Sequence, residues 1–289
     1  MFSKILFQTF KNNLKYSPIF VIGQGRSGTS AIHRAVGLHP KIAFKTTESP
    51  LIKDIGAIIY NYKFGENSTY FIHHNQLNEK KLYEAFANIN LGYAIGNTIS
   101  FKNYSKDVLR QLIKYKYLYL NKTRYVAKTA PDSRAFFGLR ELYPNSQFIY
   151  IYRNGFDQIN SAMNHKTFRG KSFEHYCDEY NKHVEKYMYV WDQKEVFKLK
   201  HEHLTEYPES KLKEVFRFLN LKPNPRPLKF LTNNLVSPLS DPRTKRNLNV
   251  QEEFKNRPPV WQYWTEEQKA IFKDKCQYAM NLLGYEIPY

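Results

Sequence analysis

Residues 19–30 read IFVIGQGRSGTS. An apolar run enters a turn containing Gly23, Gly25 and Gly28, and Thr29 and Ser30 open a helical pattern. A strand, a glycine turn and a helix start make an anion site. The N–H groups of the first helical turn lack partners within the helix, and the helix dipole favours negative charge. Gly25 and Gly28 let the backbone come close to a ligand. Ser27, Thr29 and Ser30 add hydroxyl donors, and Arg26 can grip two oxygens with its planar fork. A second cation, Arg153, follows the apolar run FIYIY at 148–152, with Ser161 on the helical pattern after it. Ligands of α/β folds bind at such carboxyl strand ends. The interval from Gly23 to Gly28 is that of a nucleotide P-loop, yet Thr29 stands in the lysine's place and Arg153 where a magnesium-binding carboxylate belongs. Phosphoryl-transferring P-loops need both. The pattern points to direct binding of a phosphate by arginines and N–H groups. The plainer alternative is a capped turn that binds nothing.

Strands and helices must alternate to present these residues. IFVIG (19–23), KIAFK (41–45), YVAKT (125–129), FIYIY (148–152) and VFKLK (196–200) read as strands. Helical patterns cover 29–38, 106–120, 133–143, 156–165, 173–191 and 209–221. Continuous apolar strands between helices predict a parallel sheet covered on both faces, hence a doubly wound α/β fold of about five strands with a P-loop-like start. One domain over 1–289 is expected. Residues 1–17 form a lead-in segment, 18–221 the α/β core, and 222–289 a carboxyl-terminal loop and helix completing the site. The stretch 222–259, rich in proline and polar residues, reads as a long loop, disordered or a lid. The last helix, 265–284, opens with a capping-box pair, Thr265 and Gln268, and ends on Gly284.

Composition narrows the partners. With 42% hydrophobic and 16% aromatic residues the chain is not disordered. A formal charge of +18 attracts anions: nucleic acid, anionic membrane, polyanionic sugar or a phosphorylated cofactor. The positive residues form no block, so a nucleic-acid tail is not indicated. Cys177 and Cys276 give neither a disulfide framework nor a zinc site, and two free thiols suit a reducing, cytoplasmic compartment. Residues 1–17 are too short and polar to span a bilayer and lack a signal-peptide core. An amphipathic lead-in lying on the domain or at a membrane surface fits them. His201 and His203 read as one face of a strand, a metal pair without a third ligand, and no metal is expected.

The chain resembles the sulfotransferases that use 3′-phosphoadenosine 5′-phosphosulfate. Their first signature is a strand followed by R/K-S-G-T-T/S, here Arg26-Ser27-Gly28-Thr29-Ser30, which wraps the 5′-phosphosulfate. Their second is a strand ending in arginine with a serine eight residues on, here Arg153 and Ser161, which bind the 3′-phosphate. Two signatures in the right order are far more specific than either alone. Cytosolic members carry a histidine base in K-T-H-x-P, and here the stretch is Lys128-Thr129-Ala130-Pro131. The sequence looks instead like the carbohydrate and tyrosylprotein branches, whose base is a glutamate after H-P, here Glu48 in LHPKIAFKTTESPL. KHEHLTEYPESKLKEVFRFLNL (200–221) is similar to the family's R-Y-E-D-L segment, with His201 in place of the tyrosine that contacts adenosine. A lysine or arginine that reaches back to the 3′-phosphate is matched by Lys255 or Arg257.

The resemblance implies an in-line sulfuryl transfer without metal. Glu48 would act as base toward the acceptor hydroxyl, and Arg26 and Lys128 would offset charge on the transferring group. Glu48 as a helix cap and Lys128 as a solvated strand-end lysine are the alternatives. The implied acceptor is a carbohydrate hydroxyl in a glycolipid or polysaccharide. A peptide tyrosine and a non-catalytic nucleotide- or polyanion-binding role are the competing readings. Nothing in the sequence sets the oligomeric state.

Overall fold

A computed structural model describes residues 17–44, 50–65, 124–129, 133–165, 168–234 and 259–289. Five strands, β1 (Ile19–Ile22), β2 (Ile42–Phe44), β3 (Arg124–Lys128), β4 (Gln147–Tyr152) and β5 (Val196–Lys200), form one sheet in the order β2-β3-β1-β4-β5. The sheet is parallel and flanked by helices, as the alternating pattern predicts. All four β1 residues and the four inner β4 residues are buried, which is why their sequences are unbroken apolar runs. Edge strand β5 instead lets Lys198 reach water. In register, Ile19 faces Val126 and Val21 faces Lys128, so β3 ends level with the penultimate residue of β1.

The helices are α1 (Thr29–Gly37), α2 (Pro50–Phe64), α3 (Ser133–Leu142), α4 (Gly155–Met163), α5 (Phe173–Trp191), α6 (His201–Glu206), α7 (Pro208–Phe218), α8 (Pro225–Asn234) and α9 (Glu266–Leu282), with a 3₁₀ turn at Val260–Tyr263. The predicted helix at 106–120 and residues 1–16 of the 1–17 lead-in lie outside the described residues. Helix α9 carries the predicted capping box, with Thr265 Oγ1 accepting from the Gln268 N–H and Gln268 Oε1 accepting from the Thr265 N–H. At its other end Gly284 adopts φ +72°, and the Tyr285 N–H returns to the Met280 carbonyl, closing a Schellman turn. Helix α8 corrects the reading of 222–259 as continuous loop. Its prolines, Pro225 and Pro227, fall in the first turn, where no intrahelical N–H is needed.

The described residues divide into two compact units. One holds β1 to β3, α2, α3, most of α1 and the beginnings of β4 and β5. Its core is aromatic: Phe148 packs at a tilt against Phe136 at 4.4 Å and Phe20 at 5.2 Å between ring centres. There α2 and α3 cross at Gly56 and Gly138, where a Cβ on Gly138 would lie 1.8 Å from the Gly56 carbonyl oxygen. The other unit holds residues 23–32, the ends of β4 and β5, and α4 to α9. Its core joins Phe156, Tyr180, Trp264, Phe272 and Met280 with the two thiols, Cys177 and Cys276, both fully buried. The Cys276 thiol points at the Cys177 carbonyl, 3.7 Å away.

Candidate active site

The loop from Gly23 to Ser30 folds tightly against the end of β4. Gly23 adopts φ +150°, and a Cβ there would meet the Ile151 carbonyl at 2.3 Å. Gly28 adopts φ +98°, and a Cβ would strike the His201 ring at 2.5 Å. Both positions therefore require glycine. Ser27 is fully buried, and its hydroxyl bonds the Gln24 carbonyl (2.6 Å) and the Ile151 carbonyl (3.1 Å). Of the predicted hydroxyl donors, this one braces the loop from inside. The Gly28 carbonyl accepts the N–H groups of Ala31 and Ile32, starting α1 at Thr29, which is buried, and Ser30, which is half-buried. Gly25, at the exposed tip, has its carbonyl held by the buried Gln158 amide at 3.1 Å.

Arg26 departs from local preference. It adopts φ +73°, a left-handed conformation that costs a residue with a Cβ about 1–2 kcal/mol. In that conformation its Nε donates to Ser161 Oγ at 3.0 Å, and its carbonyl accepts from Arg153 Nη1 at 3.4 Å. The first loop and the second signature are thus in direct contact. Burial, and then the nearby Arg153 charge, weigh against the protonated form of Arg26. Arg153 also pairs with Asp157 at 3.4 Å, one turn along α4. Its Nε is buried and has no acceptor among the described residues. Ser161 accepts from Arg26, so its own O–H is left to donate. Two guanidinium groups and a hydroxyl converge here, a donor set suited to a multiply charged anion.

His201 lies against this set. The structure corrects its reading as a strand residue beside His203: β5 stops at Lys200, and both histidines fall on the short helix α6, His203 exposed and His201 against Gly28. Alternating residues of a strand share a face, whereas positions two apart on a helix diverge. Burial and the Arg153 charge hold the His201 imidazole down to about 3, so it is neutral at physiological pH. Among the described residues no group of three or more His, Cys, Asp or Glu side chains is placed to hold a metal.

Lys128, the last residue of β3, is half-buried, and its charge reaches His33, which burial first and cationic neighbours after it hold at about 4. Glu48, Ala130, Lys255 and Arg257 lie outside the described residues. Sequence reasoning missed three participants: Gln158, the left-handed backbone of Arg26, and Glu202, which bonds the residue after Arg153. An amide or carboxylate in a helix carries no local signal of a distant partner.

The chain belongs to the sulfotransferase family, whose pattern matches residues 18–225, and the protein is a sulfotransferase enzyme. Its fold is similar to the sulfotransferase domain of the curacin biosynthetic pathway, at 14% identity over 94% of this chain and 99% of that one, with a TM-score of 0.51. It is also similar to the sulfotransferase domain of the Synechococcus PCC 7002 olefin synthase, at 13% identity over 94% and 97%, TM-score 0.51. A third likeness is mouse sulfotransferase SULT7A1, solved with PAP, at 14% identity over 93% and 89%, TM-score 0.50. No curated protein matches the chain by sequence. No described helix is long and apolar enough to cross a membrane.

Proposed function

We propose that the protein transfers a sulfuryl group from 3′-phosphoadenosine 5′-phosphosulfate to a carbohydrate hydroxyl, in a glycolipid or polysaccharide, as in the carbohydrate branch of the family. The observation that carries the donor assignment is the buried Arg153 Nε without an acceptor, set beside Arg26 and the Ser161 hydroxyl. Opposed cations and idle donors at a strand end are stabilised by an anion. In this reading the 3′-phosphate takes Arg153 and Ser161. Gly25, Ser27, Gly28, Thr29 and Ser30 line the 5′ end through their backbone, and Lys255 is a further cation for the 3′-phosphate. Arg26 and Lys128 are the cations that offset charge on the sulfuryl oxygens.

The acceptor oxygen forms its bond to sulfur as the bond from sulfur to the bridging phosphate oxygen breaks. The bisphosphate leaves, and the acceptor proton passes to Glu48. The acceptor class rests on Glu48 after His39-Pro40 and on Ala130 in place of a histidine base. A charge of +18 favours an acidic glycan, at a membrane surface if residues 1–17 lie there.

Thermal shift tests the donor. Adenosine 3′,5′-bisphosphate should stabilise the protein without magnesium. Stabilisation by ATP with magnesium and none by the bisphosphate would overturn the reading. Labelled donor then separates the acceptors. Label entering glycans or glycolipids supports the carbohydrate reading, and label entering only tyrosine peptides replaces it. Glu48→Ala should keep bisphosphate binding and abolish transfer.

A further inference from the structure

The peptide group joining Arg153 to Asn154 is pinned at both ends. Its carbonyl accepts from Tyr180 Oη at 3.2 Å, and its N–H donates to Glu202 Oε1 at 3.0 Å. The same Glu202 oxygen accepts from Asn154 Nδ2 at 2.6 Å. Asn154 is the N-cap of α4, its Oδ1 accepting from the Asp157 N–H at 2.8 Å, and α4 carries Ser161. The other Glu202 oxygen accepts from Tyr285 Oη at 2.7 Å, just past the end of α9. Burial and Glu202 push the Tyr285 phenol's pKa up, so it remains a donor, and Lys200 Nζ lies 4.0 Å from the centre of its ring. No substrate atom is needed for any of these contacts, and no part of sulfuryl transfer uses them.

A guanidinium that must meet a phosphate depends on the direction in which its Cα leaves the strand. That direction is set by the peptide after it. Free rotation of this peptide would move Arg153 and the start of α4 together. We propose that Glu202 is a positioning residue for the Arg153–Ser161 grip: with Tyr180 it fixes the Arg153–Asn154 peptide, and Tyr285 in turn fixes Glu202. The proposal rests on the reading of that pair as the holder of the donor's 3′-phosphate. The turn after α9 thereby takes part in recognising the nucleotide through Glu202.

The test is calorimetric titration of the full-length protein with adenosine 3′,5′-bisphosphate and with adenosine 5′-monophosphate, which lacks the 3′-phosphate. In Glu202→Ala the preference for the bisphosphate should fall on the order of tenfold, with monophosphate binding kept. Glu202→Gln should restore it. Its amide oxygen can take both Asn154 donors, and its NH₂ can donate to the Tyr285 oxygen. Tyr285→Phe should lose a smaller part of the same preference. An unchanged preference in Glu202→Ala, or equal weakening of both ligands, overturns the proposal. Should the alanine variant fail to fold, Tyr285→Phe and Tyr180→Phe decide the matter, and a wild-type preference in both overturns it. A wild-type protein with no preference for the bisphosphate withdraws the phosphate assignment itself, and the positioning role with it.

Discussion

At the crossing of α2 and α3, glycine removes bulk. In the loop from 23 to 28, it supplies backbone angles. Gly56 and Gly138 let two helices touch backbone to backbone among apolar neighbours. Gly23 and Gly28 fold a turn around Arg26, itself in a left-handed conformation and facing a second guanidinium. The first region keeps to the local rule of close packing. The second violates two, with a strained arginine and opposed like charges. Strain of this kind persists where surrounding structure over-determines it, and it concentrates at functional sites. The difference separates a contact that holds the fold from one that the proposed function would use.

Substitutions can break that separation. The largest effect is expected from Gly138→Ala. A methyl group 1.8 Å from a carbonyl oxygen forces the helices apart, at a cost of about 3 kcal/mol, a fall in Tm of roughly 10 °C. The bisphosphate preference of the remaining folded protein should match wild type. A changed preference with an unchanged Tm would erase the distinction. Arg26→Gly should act in the opposite sense. It removes the left-handed penalty and one of two facing charges, so thermal unfolding should move up by about 1 kcal/mol while transfer is lost. A lower Tm would mean that the bond to Ser161 outweighs the strain of Arg26 in the free protein.

The smallest effect concerns pH. An unfolded histidine takes a proton near 6.5, whereas His201 in the fold waits until about 3. Between these values the unfolded chain binds the extra proton, so stability drops as pH is lowered from 6.5 toward 3. His201→Gln removes this contribution. Its Tm should fall less than that of wild type between pH about 7 and 6, by about 2 °C. His33, held at about 4, keeps a similar share in both proteins, so the slope flattens only in part. Equal slopes would mean that the fold does not hold His201 neutral.

The loop and the Arg153 strand end were legible because their signals are local: an unbroken apolar run, glycines at fixed spacing, an arginine after the last strand residue. Helix α5, at 173–191, and the boxed start of α9 were legible for the same reason. Helix α8 was obscured by prolines that interrupt a helix interior but suit its first turn. Helix α6 was hidden because Lys200 to His203 continues the spacing of β5 without a break. The inward turn of Ser27 follows from a carbonyl of β4, 124 positions away. The role of Glu202 depends on partners 48 and 83 positions distant. No window of sequence contains both halves of such a contact.

The paired thiols of the second core have a practical consequence. Contact with Cys177 and burial push the Cys276 thiol's pKa up, far from the thiolate that reacts. Neither sulfur is accessible in the folded state. Labelling by a thiol reagent must therefore wait for that core to open. Without any engineered probe, the rate of modification counts excursions from the native state. Slowing of that rate by a nucleotide would report its binding as protection against opening.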